Sequence, residues 1–350
     1  MTLSNLGWNS IYEKAWNEQD RAPHFPARVI EAQKSIWRLA SETAEFLAQM
    51  SARFRHQLLN SQELPAVGDW VEAASGVIFD VLPRQSKLSR QAAGRRTEEQ
   101  IVAANIDTVF VVSSLDGDFN PRRLERYLTA VWEGGAQPVI VLNKADLCDD
   151  VPRVRMEMEA AAPGVAVYVI GARDALGLGQ LGPHLRSGST IALVGSSGVG
   201  KSTLINQLHG FDRQAVSAVR ADGRGRHTTT TRSLIVLPSG ALLIDTPGMR
   251  ELQLWATEGS LDSTFEEIDR LAEQCRFRDC QHTGEPGCAV LQSANNGVLP
   301  RDRYDSYMKL RKELAFFERK QDVSAELELK RKWKVSHRAQ KAMKKAHRKG

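Results

Sequence analysis

Residues 191–202 read IALVGSSGVGKS, an apolar β-type run followed at once by the pattern G-x-x-x-x-G-K-[ST]. A helical pattern comes next, so the motif stands between a strand and a helix, as a phosphate-binding loop requires. Its glycines let backbone N–H groups and the next helix's N-terminus surround phosphates. Lys201 is expected to reach the β- and γ-phosphates, and Ser202 to bind Mg²⁺. The alternative is an ordinary glycine-rich turn, and the loop alone leaves ATPase, kinase and GTPase open.

A guanine contact is predicted at residues 143–146, NKAD, which follow the apolar run 138–142. The Asp146 carboxylate can accept hydrogen bonds from guanine N1–H and the exocyclic amine, a donor pair that adenine lacks. Asn143 is expected to tie this loop to the phosphate loop, and the Lys144 stem to cover the base. Alone, the tetrapeptide is also typical of a strand-terminating turn; beside a phosphate loop in one domain, it indicates guanine-nucleotide binding.

Two further motifs belong to this set. Residues 243–248, LIDTPG, place an apolar strand before D-x-x-G, where Asp245 is expected to hold the Mg²⁺ shell through water and the Gly248 N–H to sense the γ-phosphate. Residues 223–232, GRGRHTTTTR, suit a loop that switches between ordered and disordered states, with a solvated polar loop as the alternative. One Mg²⁺ ligand is expected among Thr228, Thr229 and Thr230. We select Thr229.

The group that orients the attacking water is not part of these motifs. Many GTPases use a glutamine just after D-x-x-G, where this chain has Met249. Methionine does not orient water by hydrogen bonding, so slow turnover is expected unless another group contributes. His227 is the candidate, and a solvated loop histidine is the alternative. The expected catalytic set is His227, Lys201 and Asp245.

The order of the motifs is circularly permuted. The guanine contact comes first, followed by residues 171–173 (GAR), a poor match to the usual second base loop, and then by the phosphate loop and both switches. The same sheet can be built with its chain ends moved, because termini of compact domains often lie close together. The D-x-x-G switch then leads directly into the C-terminal part, and its movement is expected to act there. The residues expected to bind GTP are Asn143, Lys144, Ala145, Asp146, Gly195, Ser196, Ser197, Gly198, Val199, Gly200, Lys201, Ser202, Thr203 and Gly248.

Three of the four cysteines lie near one histidine, in the pattern C-x4-C-x-H-x5-C. Four protein ligands complete a tetrahedron and leave no open position, so a structural zinc site is expected. The alternative is a set of small apolar cysteines with a surface histidine, and Cys148, outside the cluster, is interpreted as such a cysteine. The expected zinc ligands are Cys275, Cys280, His282 and Cys288.

The length of 350 residues, 42% of them hydrophobic, allows more than one core. Residues 26–95 show short apolar stretches typical of a small β-barrel, although residues 43–59 could equally be helical. From 96 to 252, strand and helix patterns alternate, which predicts a parallel sheet covered by helices. Residues 1–25 have no assignable fold and are interpreted as a mobile arm. Strands are expected at 108–113, 138–142, 165–170, 190–194, 234–237 and 241–244, and helices at 121–133 and 201–208.

Positive charge is concentrated at the C-terminus. Residues 330–350 contain ten Lys or Arg and no acid, within a net charge of +5. This tail is expected to bind RNA phosphates, with a solvated disordered tail as the alternative. We find no apolar run long enough for a bilayer and no signal peptide, so a cytoplasmic protein with no membrane partner is expected. A second set of basic residues is expected to add positive charge near the end of the barrel, with a solvated charged surface as the alternative: Arg84, Lys87, Arg90, Arg95 and Arg96.

Together with residues 65–69 (PAVGD) and 81–84 (VLPR), these motifs resemble, over nearly the whole chain, the circularly permuted, ribosome small-subunit-dependent GTPases called RsgA or YjeQ. The resemblance implies a multidomain protein with an all-β OB-fold barrel, a central α/β P-loop GTPase domain and a C-terminal, mainly helical zinc-binding domain. It also implies late 30S maturation, with the 30S subunit, 16S rRNA and GTP or GDP as partners, one structural Zn²⁺, and Mg²⁺ with GTP. A monomer is expected. The expected segments are an extension at 1–25, the OB-fold at 26–95, the GTPase domain at 96–252, the zinc domain at 253–329 and a basic tail at 330–350.

Two other functions compete with a GTPase that acts during small-subunit assembly. An rRNA-binding scaffold would hold RNA through the barrel and the zinc domain, with GTP as a structural ligand. Turnover separates these two, since a structural ligand need not be hydrolysed. A nucleotide kinase fits the phosphate loop but leaves residues 143–146 and 245–248 without a role.

Overall fold

A computed structural model describes residues 2–33, 35–58, 64–91, 99–116, 119–210, 232–245 and 261–315. Five strands and two short helices make up its N-terminal part. They are α1 (Ser10–Asn17), β1 (Phe25–Gln33), β2 (Ile36–Ala40), β3 (Glu45–Met50), α2 (Ala52–Gln57), β4 (Trp70–Ala74) and β5 (Val77–Val81).

The five strands close into a barrel in the order β1-β2-β3-β5-β4, and β4 pairs with β1 to complete the ring. A closed five-stranded barrel with a helix between β3 and β4 matches the predicted OB-fold. Residues 43–59, for which a strand and a helix were both open, contain one of each, β3 and α2. Apolar side chains from every strand fill the interior: Ala27, Val29, Trp37, Leu39, Ala48, Phe54, Val71, Ala73 and Ile78.

The N-terminal extension packs against the barrel, so the prediction of a mobile arm is wrong. The Asn9 side chain caps α1 by accepting hydrogen bonds from two backbone N–H groups of its first turn. Tyr12 is buried, and the Trp8 ring packs edge-on against Trp70 of β4, with ring centroids 4.7 Å apart. Sequence reasoning missed this contact because it depends on a distant tryptophan.

The central part alternates strands and helices. Its elements are β6 (Lys87–Gln91), β7 (Glu99–Ala104), β8 (Thr108–Ser114), α3 (Pro121–Glu133), β9 (Gln137–Asn143), α4 (Val151–Ala161), β10 (Ala166–Val169), β11 (Thr190–Val194), α5 (Lys201–His209), β12 (Arg232–Val236) and β13 (Leu242–Asp245). Six of the strands form a sheet in the order β10-β9-β8-β11-β13-β12, and all neighbours are parallel except β12 and β13. Every residue of β8 and β11 is buried. The predicted parallel sheet, with a helix at 121–133, is confirmed.

Two features join the barrel to this sheet. β1 pairs with β12, so the strands of both units form one continuous sheet. Strands β6 and β7 lie on either side of the expected segment boundary at residue 95 and pair antiparallel with each other.

Arg28 of β1 is fully buried where these parts meet. It donates to the backbone carbonyls of Leu6, Gly68 and Asn105 and to Thr190 Oγ1 at 2.9 Å. Burial lowers the pKa of Arg28 to about 10. These contacts tie the extension and the barrel to the first residue of β11.

The C-terminal region, residues 261–315, is mainly helical. It contains α6 (Leu261–Thr264), α7 (Glu266–Ala272), α8 (Ala289–Asn295) and a helical run at 301–315. Its core includes Phe265, Ile268, Val290 and Leu299. Within the described ranges, each helix is too short or too polar to span a lipid bilayer.

Candidate nucleotide site and metal centre

The phosphate loop connects the central strand β11 to α5. Gly195, Gly198 and Gly200 have φ values of +144°, +83° and +97°, a region that favours glycine. Space is restricted as well, because a Cβ on Gly195 would lie 2.1 Å from the Val112 carbonyl oxygen. A Cβ on Gly200 would lie 2.2 Å from Asn143 Nδ2. The glycines of the motif therefore allow both the turn and the close approach of the neighbouring strands.

Lys201, the first residue of α5, points back into the loop. Its Nζ donates to the carbonyls of Gly195 at 2.7 Å and Ser196 at 2.6 Å. Ser202 and Thr203 follow in the first turn and are half-buried, and within the part of the chain that the structure describes no side chain caps the N-terminus of α5. Uncapped N–H groups beside a fixed ammonium suit the binding of an anion.

Asn143 joins three loops at the carboxyl edge of the sheet. It is 2% exposed, its Nδ2 donates to the Val199 carbonyl at 2.8 Å, and its Oδ1 accepts from the Ala172 N–H at 2.9 Å. The predicted tie between the NKAD loop and the phosphate loop is confirmed. The third loop, residues 171–173, matched the usual base loop poorly in sequence, yet the same asparagine places it in the cluster.

The next residue of the NKAD loop, Lys144, is held by the carboxylate of Asp116, which was not predicted from the sequence. Lys144 adopts a left-handed conformation with φ +61°, and its Nζ pairs with Asp116 Oδ2 at 2.8 Å. Asp116 Oδ1 accepts from Ser114 Oγ at 2.8 Å. Asp146 lies exposed in a 3-10 turn, Ala145–Leu147. An acidic residue two positions after the end of the buried strand β8 was the available signal for Asp116.

The other predicted residues divide into two groups. Asp245 ends β13, which lies beside β11, and is 8% exposed, so its carboxylate lies at the same edge as the phosphate loop. His227, Gly248 and Met249 lie outside the described residues, as do Thr228, Thr229 and Thr230. Residues 330–350, Arg95 and Arg96 also lie outside them.

Basic residues near the barrel end have partners of their own. Arg84 pairs with buried Asp69 at 2.7 Å, and Lys87 pairs with Glu99 at 2.6 Å. Burial alone would lower the pKa of Arg84, but the hydrogen bonds that Arg84 donates to Asp69, together with the negative charge of that carboxylate, raise it. The expected contribution of Arg84 and Lys87 to a positive surface is therefore largely offset.

The four predicted zinc ligands come together in the C-terminal region. Their ligand atoms all lie within 4.8 Å of one another, and His282 Nδ1 lies 3.7 Å from Cys275 Sγ and 3.5 Å from Cys288 Sγ. A tetrahedral zinc with ordinary bond lengths would separate S and N ligands by about 3.6 Å and two S ligands by about 3.8 Å. The two sulfurs of Cys275 and Cys288 are 4.0 Å apart. The cluster therefore fits a tetrahedral metal ion.

Two residues outside the ligand set shape this cluster. The Glu285 carboxylate accepts from the backbone N–H groups of Gln281 and Thr283 at 3.1 and 2.8 Å. Hydrogen bonds from backbone N–H groups, its own first, lower the pKa of Glu285 to about 2. Tyr304 donates its hydroxyl to the His282 carbonyl at 2.6 Å. The loop between the ligands is thus held by hydrogen bonds of its own.

A phosphate loop on the central strand, a guanine loop earlier in the chain and Asp245 on the adjacent strand together define a circularly permuted P-loop GTPase. Comparison with known proteins identifies the family. The RsgA GTPase model matches residues 81–255. The chain is 42% identical to the small ribosomal subunit biogenesis GTPase RsgA of Syntrophotalea carbinolica, over 99% of both chains. The chain belongs to the RsgA GTPase family, a family of GTP-hydrolysing enzymes.

Two solved structures resemble most of this chain. YjeQ from Thermotoga maritima superposes with a TM-score of 0.64 and 28% identity, over 83% of this chain and 99% of that one. YloQ, described as a circularly permuted GTPase, gives a TM-score of 0.59 and 26% identity, over 85% and 97%. The multidomain fold predicted from the sequence is confirmed.

Proposed function

We propose that this chain binds the small ribosomal subunit and hydrolyses GTP to GDP and phosphate during late maturation of that subunit. The observation that carries the proposal is the Asn143 side chain, which joins the guanine loop, the phosphate loop and residues 171–173 into one cluster. The full-length relative named for small-subunit biogenesis supports the biological setting. A cytoplasmic monomer acting on 16S rRNA is part of the same proposal.

Within this function, each group has a distinct role. Asp146 accepts from the guanine N1–H and amine, and its exposure leaves it accessible to a base. Lys201 binds the β- and γ-phosphates from the position in which two loop carbonyls hold it. His227 orients the attacking water, and Gly248 senses the γ-phosphate.

Loss of His227 is expected to lower subunit-stimulated turnover, and unchanged turnover in His227→Ala would remove it from the catalytic set.

Mg²⁺ and Zn²⁺ have separate places in the proposal. Ser202 and Thr229 would bind Mg²⁺, and Asp245 would hold its shell through water. When bound, Mg²⁺ neutralises charge on the phosphates. Three thiolates and an imidazole are a soft donor set that selects zinc over Mg²⁺ or Ca²⁺. Because four protein ligands fill the tetrahedron, that site stabilises the C-terminal region and takes no part in chemistry. One zinc per chain in freshly purified protein is the expected metal content.

Hydrolysis of GTP with and without purified 30S subunits tests the function. ATP serves as the second substrate, and Lys201→Ala as the inactive control. Stimulation by 30S subunits that is specific for GTP and lost in the control is expected. GTP binding without turnover in either condition would contradict the enzyme and favour an rRNA-binding scaffold that holds GTP as a structural ligand.

A further inference from the structure

Arg123, in the first turn of α3, reaches the phosphate loop although no motif includes it. Its Nη1 donates to Ser196 Oγ at 2.8 Å, and the Ser196 carbonyl accepts from Lys201 Nζ at 2.6 Å. The residue after the first glycine of the loop is therefore held by two cations, one from α3 and one from α5. A guanidinium stays charged at every physiological pH, so Arg123 also adds permanent positive charge beside the loop.

The same helix is fastened to the C-terminal region. Glu125 is 3% exposed and accepts hydrogen bonds from Arg303 Nη1 at 2.6 Å and from Ser306 Oγ. One turn further along, Thr129 Oγ1 lies 2.9 Å from Thr264 Oγ1. Arg303 is fixed in turn, because its Nη2 donates to the Thr264 carbonyl at 2.7 Å. Displacing α3 from the C-terminal region would break buried hydrogen bonds that water does not replace.

We propose that Arg123 is a positioning residue for the phosphate loop, and that α3 makes its position depend on how the C-terminal region is docked. The proposal rests on the proposed function, in which residues 195–202 hold the nucleotide phosphates. A hydrogen bond weakens when its length departs from the preferred range, so a small shift of α3 weakens the bond from Arg123 to Ser196 Oγ and leaves only Lys201, of the two cations, to hold this residue. The loop N–H groups then lose part of their preorganisation toward phosphate. A partner that moves the C-terminal region thereby changes hydrolysis through α3.

The local part is tested with Arg123→Gln, Ser196→Ala and the double variant. Arg123→Gln is expected to lower kcat for GTP about tenfold, with KM changed by less than about twofold, because the contact serves loop geometry rather than base recognition. Ser196→Ala is expected to have a similar effect, and the double variant to be no slower than Arg123→Gln. Arg123→Lys, which keeps the charge, is expected to recover part of the rate. Additive losses, or wild-type kcat in Arg123→Gln, would overturn the assignment.

The long-range part is tested at the other contact of α3. Arg303→Lys keeps the charge but loses the forked geometry, and it is expected to lower kcat about threefold in wild-type protein and to have no effect in Arg123→Gln. Arg126→Gln is the matched control, since it removes only the exposed pair between α3 and Glu313. Equal losses in both backgrounds would show that α3 does not carry the coupling. If Arg303→Lys loses zinc, Ser306→Ala, which removes one hydroxyl, gives the same comparison.

These outcomes separate the inference from the function on which it rests. Wild-type protein that binds GTP but does not hydrolyse it would contradict the proposed function. Wild-type turnover that is lost in Lys201→Ala but unchanged in Arg123→Gln would leave the function intact and remove only the role of Arg123.

Discussion

The nucleotide loops and the metal centre differ in what holds them in place. The loops stand on β8, β9 and β11, whose side chains belong to two large cores on the two faces of the central sheet. The metal centre lies in the smaller core of the C-terminal region, and two of its ligands, Cys280 and Cys288, are themselves members of that core. We therefore expect that loss of an exposed functional side chain from a nucleotide loop affects function alone. Loss of a metal ligand is expected to disrupt the local structure as well.

The largest effect is expected from Cys288→Ser. Apparent binding free energies of structural zinc are of order 10 kcal/mol, which is more than a core of this size can replace. Residues 261–315 are expected to lose zinc and most of their amide protection, while the central sheet keeps its own. Hydrogen exchange resolved by peptide, together with metal analysis, measures both.

Cys148→Ser is the matched control for that variant. Cys148 lies outside the cluster and is half-buried, so the same substitution there is expected to leave zinc content and C-terminal protection unchanged. A Cys288→Ser protein with wild-type protection over residues 261–315 would show that the small core suffices without its metal. The contrast between the two regions would then fail.

Lys201→Ala is expected to lose activity and keep its amide protection, whereas Cys288→Ser loses local structure. Loss of one preorganised donor to transition-state charge lowers kcat by about 10²- to 10³-fold. Amide protection in β8, β9 and β11 is expected to stay at the wild-type level, because the Lys201 bonds go to carbonyls of the loop itself. Turnover assays and hydrogen exchange on the same sample test this. The exposed Lys14→Ala is the control for removing a lysine, and lost protection in the sheet would contradict the independence of scaffold and loops.

This division also explains what could be predicted from the sequence. The sheet, the phosphate loop and the metal ligands could be predicted, because strand periodicity and ligand spacing are properties of short segments of sequence. The contacts of Asp116 and Arg123 depend on how the segment after β8 is placed against other loops. The position of Asp116 shortly after a buried strand was a weak signal for a site residue, whereas Arg123 had no comparable signal. The packing of Trp8 against Trp70 was not predicted either, because it joins two residues that lie far apart in the sequence.

A smaller effect is expected at the junction between the two regions. Glu125→Gln keeps an acceptor for Ser306, but among the described residues it leaves the buried Arg303 with Glu267 as its one carboxylate partner. Breaking a buried pair costs several kcal/mol, and the remaining partner offsets part of it, so a loss of about 2 kcal/mol is expected. Hydrogen exchange in residues 301–315 measures the opening free energy locally, which is needed because a multidomain chain need not unfold in two states. Unchanged exchange there would mean that Glu125 does not fasten the regions together.

Arg126→Gln is expected to have the smallest effect on stability, because it removes an exposed ion pair next to the buried contact of Glu125. Arg126 lies one residue after Glu125, and its side chain and that of Glu313 are 51% and 33% exposed, so water and salt screen their pair. A change below about 0.5 kcal/mol is expected, falling further in high salt. The same hydrogen-exchange measurement, at two salt concentrations, checks both. A loss as large as that of Glu125→Gln would mean that the end of the 301–315 run, rather than the buried Arg303, holds the C-terminal region to α3.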